Sequence, residues 1–224
     1  MNLGTIGLLL GASFASGINL YATVATLGLL HRFEVIALPP SLAVLSHPVV
    51  LGLAIALYLV EFVADKIPVV DHVWDAIHTL IRPPAAALLA YAAVAPVAPA
   101  GSHLPDAWRI GAALLAGSIA FTAHSTKAAT RGAVNASPEP FSTALVSFAE
   151  DVLAVGLSWL AAVHPAIAIG VVTLLLVASI ALLWLFARFA RGVWRRLFGR
   201  GSPGSPGSPG GPGGPADREK PAPA

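Results

Sequence analysis

The sequence contains no cysteine, which removes thiolate nucleophiles, disulfides, iron–sulfur clusters and thiolate zinc sites and leaves the redox compartment open. Charge is scarce as well. Only 11 % of the 224 residues are Asp, Glu, Lys or Arg, against roughly 25 % in an ordinary soluble domain. Residues 1–187 hold six basic and nine acidic side chains, so the net charge of +2 comes from five arginines at 188–200, and no nucleic-acid partner is expected. Familiar motifs are missing too. There is no Gly-x-x-x-x-Gly-Lys phosphate loop, no His-Glu-x-x-His helix and no Gly-x-Ser-x-Gly elbow. ATP-driven transport within this chain is therefore not expected, no cofactor is expected, and no residue is assigned as catalytic.

Apolar sequence is what remains: 56 % hydrophobic residues and a mean hydropathy of +0.78. Apolar stretches run over residues 3–30, 49–64, 83–100, 108–124, 141–162 and 166–187, separated by proline-bearing turns such as Pro39-Pro40, His47-Pro48, Pro83-Pro84 and His164-Pro165. A spanning helix needs about 20 apolar residues. The expected fold is an all-α, polytopic membrane helix bundle of about six transmembrane helices over residues 1–187. A basic juxtamembrane segment, 188–200, and a Gly/Pro-rich tail, 201–224, follow. The tail has seven glycines and seven prolines and is expected to be disordered.

Arg188, Arg191, Arg195, Arg196 and Arg200 place the C-terminus in the cytoplasm and offer a site for anionic lipids. An even number of spans then puts the N-terminus inside, with Lys66, Arg82, Lys127 and Arg131 on the cytoplasmic side and Arg32 and Arg109 outside. The expected location is the cytoplasmic (inner) membrane, with the bilayer and a small solute or ion as partners; a homo-oligomer is compatible with the composition. Residues 1–17 imitate a signal peptide but lack a basic start, and the apolar pattern continues to Leu30, so a retained first helix is expected.

Leu59 to Val70 laid over Leu145 to Gly156 matches at Leu59/Leu145, Val60/Val146, Phe62/Phe148, Asp65/Asp151 and Val69/Val155. An inverted three-plus-three repeat, residues 1–100 and 108–187, would explain this and is common in secondary transporters. Chance matching of apolar segments would explain it equally.

The charges are clustered. Eleven of the fifteen in residues 1–187 fall in two windows, Glu61 to Arg82 and Lys127 to Asp151. Ionisable side chains in hydrocarbon are costly, so those present tend to pair or to line a polar path. Glu61 and Asp65 share one helical face, and Asp71, Asp75, His78 and Arg82 form another stripe, with Trp74, Ile77 and Ile81 opposite. Residues 70–82 therefore read as an amphipathic or re-entrant helix, its polar face forming either one wall of a site or an ordinary solvated interface. His124, Lys127 and Arg131 make a cationic stripe continuing Ser118, Thr122 and Ser125, with Lys127 or Arg131 expected to pair with Glu150 or Asp151. Such pairs are either functional or purely structural.

In the first helix Ser16, Asn19, Thr23 and Thr26 share a face, and Gly17 beside Asn19 would allow local unwinding. Close helix packing is the plainer reading, as also for Gly7 and Gly11. Substrate contact is assigned to Asn19, Asp75, His78, Arg82, His124, Lys127 and Arg131, and ion coupling to Glu61, Asp65, Glu150 and Asp151. The metal question stays open: Glu61, Asp65, His78, Glu150 and Asp151 are the types that would hold a hard cation.

The runs Glu61-Phe62-Val63-Ala64-Asp65-Lys66-Ile67-Pro68, Trp74-Asp75-Ala76-Ile77-His78-Thr79, Arg82-Pro83-Pro84-Ala85, Thr126-Lys127, Asn135-Ala136-Ser137-Pro138-Glu139-Pro140 and Ala149-Glu150-Asp151 resemble, in that order, a family of bacterial integral membrane proteins catalogued as a domain of unknown function. The resemblance covers residues 5–165 and leaves the final helix, the arginines and the tail outside it. It implies a coherent membrane domain and supplies no reaction. The leading functional expectation is a small secondary transporter or channel-like carrier in which carboxylates couple movement of a solute, plausibly a small anion, to protons or cations. An intramembrane enzyme acting on a lipid phosphate head group, or a structural assembly subunit, are the alternatives.

Overall fold

A computed structural model describes residues 2–94, 106–135 and 140–198. The chain divides into two compact units, Met1–Arg188 and Phe189–Ala224. The described residues are almost wholly helical and contain no strand. The helices are α1 (Leu3–Ile18), α2 (Leu20–Arg32), α3 (Pro48–Ala64), α4 (Pro68–His78), α5 (Arg82–Val94), α6 (Asp106–Asn135), α7 (Pro140–Val163) and α8 (Pro165–Phe198), with a short 3-10 helix, Pro40–Ser46, before α3. Where they are described, the apolar stretches of the sequence fall on helix, the first interrupted at Asn19. Further proline and glycine turns expected at Pro96, Pro99, Gly101 and Pro138, together with Glu139, Arg200 and the tail, lie outside the described residues.

Two helical segments, Phe141–Val163 and Pro165–Arg196, are long and apolar enough to cross a membrane. Counting two bent pairs as single spans raises this to four. The pairs are Pro40–Ser46 with Pro48–Ala64, bent by 62°, and Val69–His78 with Arg82–Val94, bent by 42°. The expected six are not reached on this criterion. Asn19 divides the first apolar stretch into helices of 16 and 13 residues, each shorter than the roughly 20 needed alone, and α6 carries Arg109, His124, Lys127 and Arg131.

The first unit is packed around α1. Phe14, Ala15 and Ile18 form one core with Ala22 of α2, Ile119 and Ala123 of α6, Ala154 and Leu157 of α7, and Val172 of α8. Small residues permit this closeness. A Cβ on Gly11 would lie 2.3 Å from the Ala161 methyl, and one on Gly17 would lie 2.3 Å from the Ala120 carbonyl oxygen. The packing reading of the glycines thus holds for α1. Around this core α5 packs on α6, whereas α6 and α7 touch little.

Polarity runs inside out relative to a water-soluble fold. On α4, Asp71, Asp75 and His78 are buried, while Val69, Val73 and Ile77 are exposed, Val69 at 77 %. That arrangement minimises free energy when the surroundings are apolar. It removes the solvated-interface reading of residues 70–82.

The aligned segments of the proposed repeat do not share a backbone. The first covers the end of α3, a turn at Asp65–Ile67 and the start of α4, whereas the second lies wholly inside α7. Asp65 is a helix C-cap and Asp151 sits mid-helix, so their match reflects composition. In the second unit, the described part is the end of α8, where Arg191, Arg195 and Arg196 are exposed.

Candidate functional site

The site begins at a helix break. Asn19 adopts an extended backbone, φ −147° and ψ 102°, and serves as C-cap of α1 and N-cap of α2 at once. Its Oδ1 accepts from the Ala22 amide at 2.9 Å, as a good N-cap does. Its Nδ2 donates to Asp151 Oδ1 on α7 at 3.0 Å. The end of α1 leaves backbone carbonyls without helical partners, and two of them receive cations: Gly17 O from Arg82 at 3.3 Å and Ile18 O from Lys127 at 3.3 Å. The unwinding read from Gly17 and Asn19 is therefore present. Thr23 turns its hydroxyl to Asn19 O at 2.9 Å within its own helix.

Every residue singled out for substrate contact or coupling converges on this break. Arg82, the first residue of α5, donates to Glu61 at 2.5 Å, lies 3.6 Å from Asp75 and donates to His124 Nδ1 at 2.8 Å. Lys127 of α6 donates to Asp65 at 2.9 Å and Glu61 at 3.3 Å, with Glu150 at 3.8 Å and Asp75 at 4.0 Å. One helical turn on, Arg131 donates through Nε and Nη2 to Glu150 Oε2, and to Asp65 Oδ2 at 2.9 Å, Asp71 Oδ1 at 3.0 Å and Asp65 O at 2.6 Å. Glu61, Asp65, Asp71 and Arg82 are 0 % exposed.

Hydrogen bonding fixes both histidines. His124 Nδ1 faces a guanidinium, which only donates, so its proton sits on Nε2, toward Thr79 Oγ1 at 2.8 Å and Asp75 O at 3.1 Å. His78 Nδ1 lies 2.7 Å from Trp74 O, an acceptor, so it carries a proton, and Nε2 meets the Tyr21 hydroxyl at 3.0 Å. Trp74 also stacks on His78, with ring centroids 4.6 Å apart.

The charges do not balance. The network holds six carboxylates (Glu61, Asp65, Asp71, Asp75, Glu150 and Asp151) against the three cations Arg82, Lys127 and Arg131. Glu61 Oε2, Asp65 Oδ1, Asp75 Oδ1 and Asp151 Oδ2 are buried without a hydrogen-bond donor, as are the Ser16 and Ser147 hydroxyls. Lys66 stands beside the network but donates to Phe62 O at 2.8 Å and lies over the Phe62 ring. Among the described residues no group of three or more His, Asp or Glu side chains is arranged to hold a metal ion. Lys127 and Arg131, inserted among the carboxylates, keep Glu61, Asp65, His78, Glu150 and Asp151 from forming one.

The expected pairing across α6 and α7 forms between Arg131 and Glu150, with Lys127 3.8 Å from the same carboxylate, while Asp151 is held by Asn19. One expectation needs correction. Ser118 and Thr122 do not continue the cationic stripe: their hydroxyls donate to Leu114 O and Ser118 O of their own helix. Arg82, Lys127 and Arg131 are buried within the bundle.

Sequence reasoning missed four contributors. Asn135 donates to Asp71 Oδ2 at 3.0 Å and accepts from Thr143 at 3.1 Å; it is the last residue of α6, one turn beyond Arg131. Its spacing of four was the available signal. Tyr21 and Thr79 reach the histidines across 57 and 45 residues of sequence, and no local pattern announces such contacts.

Fold and site together define a helical membrane protein built around a buried network of ionisable side chains. Within that class, the chain belongs to the family described as Domain of unknown function (DUF4126), whose model matches residues 6–185. The match extends into α8, beyond the 5–165 expected from the motifs. No curated protein matches the chain, and no solved structure matches it.

Proposed function

We propose that the protein is a small secondary transporter or channel-like carrier of the cytoplasmic membrane, with both termini inside and the chain crossing about six times, in which the buried carboxylates bind protons or cations. One observation carries this reading: six carboxylates and three cations share a buried site at a broken helix. A surplus of negative charge away from water is stable only when positive charge joins it. Broken helices near the middle of a bundle are where carriers hold their ions.

The same imbalance revises the solute. Arg82, Lys127 and Arg131 each already face two or more carboxylates, so an anion would meet negative charge at every one of them. A cation or proton is the species this site favours, with Glu61, Asp65, Glu150 and Asp151 as coupling groups. Asn19, Asp75, His78, Arg82, His124, Lys127 and Arg131 then shape the site and position those groups.

The absence of cysteine makes the test simple. Single cysteines at Ser125, Ala149 and Ala64 are labelled with an impermeant thiol reagent from each side of oriented vesicles. The carrier reading predicts that Ala149→Cys is modified from both sides. Labelling from one side only at all three positions overturns it.

A further inference from the structure

Where α6 and α7 touch little, α1, α6, α7 and α8 line an open cavity of about 330 Å³. Its walls are apolar, among them Phe14, Ile18, Leu153, Leu175 and Leu182. Glu150 of the charge network also lines it, with 14 % of its side chain exposed. The hydrogen bonds from Arg131 and the close approach of Lys127 all fall on Glu150 Oε2. Oε1 takes none of them. Lys127 lines the same cavity but directs its ammonium to Ile18 O, Glu61 and Asp65, so it contributes its methylene stem.

We propose that this cavity binds a lipophilic organic cation, a single positive nitrogen or phosphorus centre on an apolar body, with its charge facing Glu150 Oε1. This rests on the carrier reading and names its substrate class. The size is that of a small-molecule pocket, and apolar walls with one polar anchor are typical of such sites. A hard inorganic cation needs about six oxygen ligands, which these walls do not provide. An anion would meet Glu150 and the surplus carboxylates behind it. An organic cation with a large apolar body loses little hydration on entry, fits the walls and adds positive charge where it is lacking.

Tetraphenylphosphonium and tetraphenylborate, alike in size and shape but opposite in charge, test this by equilibrium dialysis against the full-length protein in maltoside micelles. The phosphonium binds saturably and the borate does not. Glu150→Gln weakens phosphonium binding by about tenfold or more, the range of one charge-assisted contact. Leu153→Trp, which fills the cavity and leaves the ion network in place, abolishes it. Equal binding of the borate, or phosphonium binding indifferent to both variants, overturns the proposal. An ethanolamine-headed phospholipid is then added to the micelles. Persistence of phosphonium binding supports a soluble cation as ligand, and displacement would assign the cavity to a lipid amine and overturn the proposal as stated.

The two readings fail separately. Phosphonium binding without two-sided labelling of Ala149→Cys removes the carrier and keeps the site. Two-sided labelling without binding removes the substrate class and keeps the carrier.

Discussion

Six acids against three bases predict an asymmetry between removing a cation and removing an acid. Arg131→Met deletes two bonds to Glu150 Oε2, one each to Asp65 Oδ2 and Asp71 Oδ1, and one to Asp65 O. It also raises the surplus of negative charge. Removing one partner of a buried pair costs about 3–5 kcal/mol, because the charge left behind is uncompensated, and Arg131 serves three acids at once. Asp151→Asn is the opposite case. Asp151 Oδ1 takes a single bond, from Asn19, and Oδ2 takes none, so an amide keeps the acceptor and places its NH2 where no donor stands. Exchanging a charge-assisted bond for a neutral one costs about 1 kcal/mol, and removing a surplus charge offsets part of that. Unfolding by SDS in mixed micelles, followed by circular dichroism, measures both. The account predicts a loss of about 3 kcal/mol or more for Arg131→Met and less than about 1 kcal/mol for Asp151→Asn. Equal losses would refute the reasoning, since they would mean that the network holds no surplus of negative charge.

Gly17→Ala places a methyl 2.3 Å from Ala120 O and 2.7 Å from the Ala123 methyl, so it should cost about 1–3 kcal/mol as overpacking does. Gly156→Ala, mid-helix in α7 with open space around it, should stabilise by about 0.5–1 kcal/mol; melting in detergent checks the pair. Asn19→Ala loses both the cap to Ala22 and the bond to Asp151 and should cost about 1–3 kcal/mol. Asn19→Asp keeps the cap but sets a carboxylate against Asp151, so it should melt lower than Asn19→Ala; the reverse order would contradict the negative surplus. Nitrogen-15 NMR of labelled histidine should find His124 neutral with its proton on Nε2, and a proton on His124 Nδ1 would break the Arg82 contact and contradict the network. Tyr21→Phe should alter the resonances of His78 and leave those of His124 in place.

Much of the site was legible because helical spacing fixes which side chains share a face. Glu61 with Asp65, Asp71 with Asp75 and His78, and His124 with Lys127 and Arg131 sit three or four residues apart, and each set is buried on one face. Partner choice between helices was not legible. Nothing in the spacing says that Asp151 meets Asn19, 132 residues earlier in sequence, while Glu150 beside it meets Arg131. Ser118 and Thr122 were placed on the wrong face because hydroxyls bond their own helix backbone as readily as a neighbour. Asn135 was overlooked because a proline-rich stretch follows it and suggested a loop. The apparent repeat failed for a related reason: Leu, Val, Phe and Asp recur in apolar helices without a shared backbone. Which side of α4 faces outward depends on the surroundings, and hydropathy alone reads the same stripe either way.

The central claim, that the buried network takes up positive charge as protons or cations, is tested most directly by infrared spectroscopy of the protein in lipid without added cations other than a bulky buffer base. The account predicts the carbonyl stretch of un-ionised carboxylic acid at neutral pH, lost in part on exposure to the coupling cation. No such band in the wild-type protein, with every carboxylate ionised and no bound cation, would contradict it.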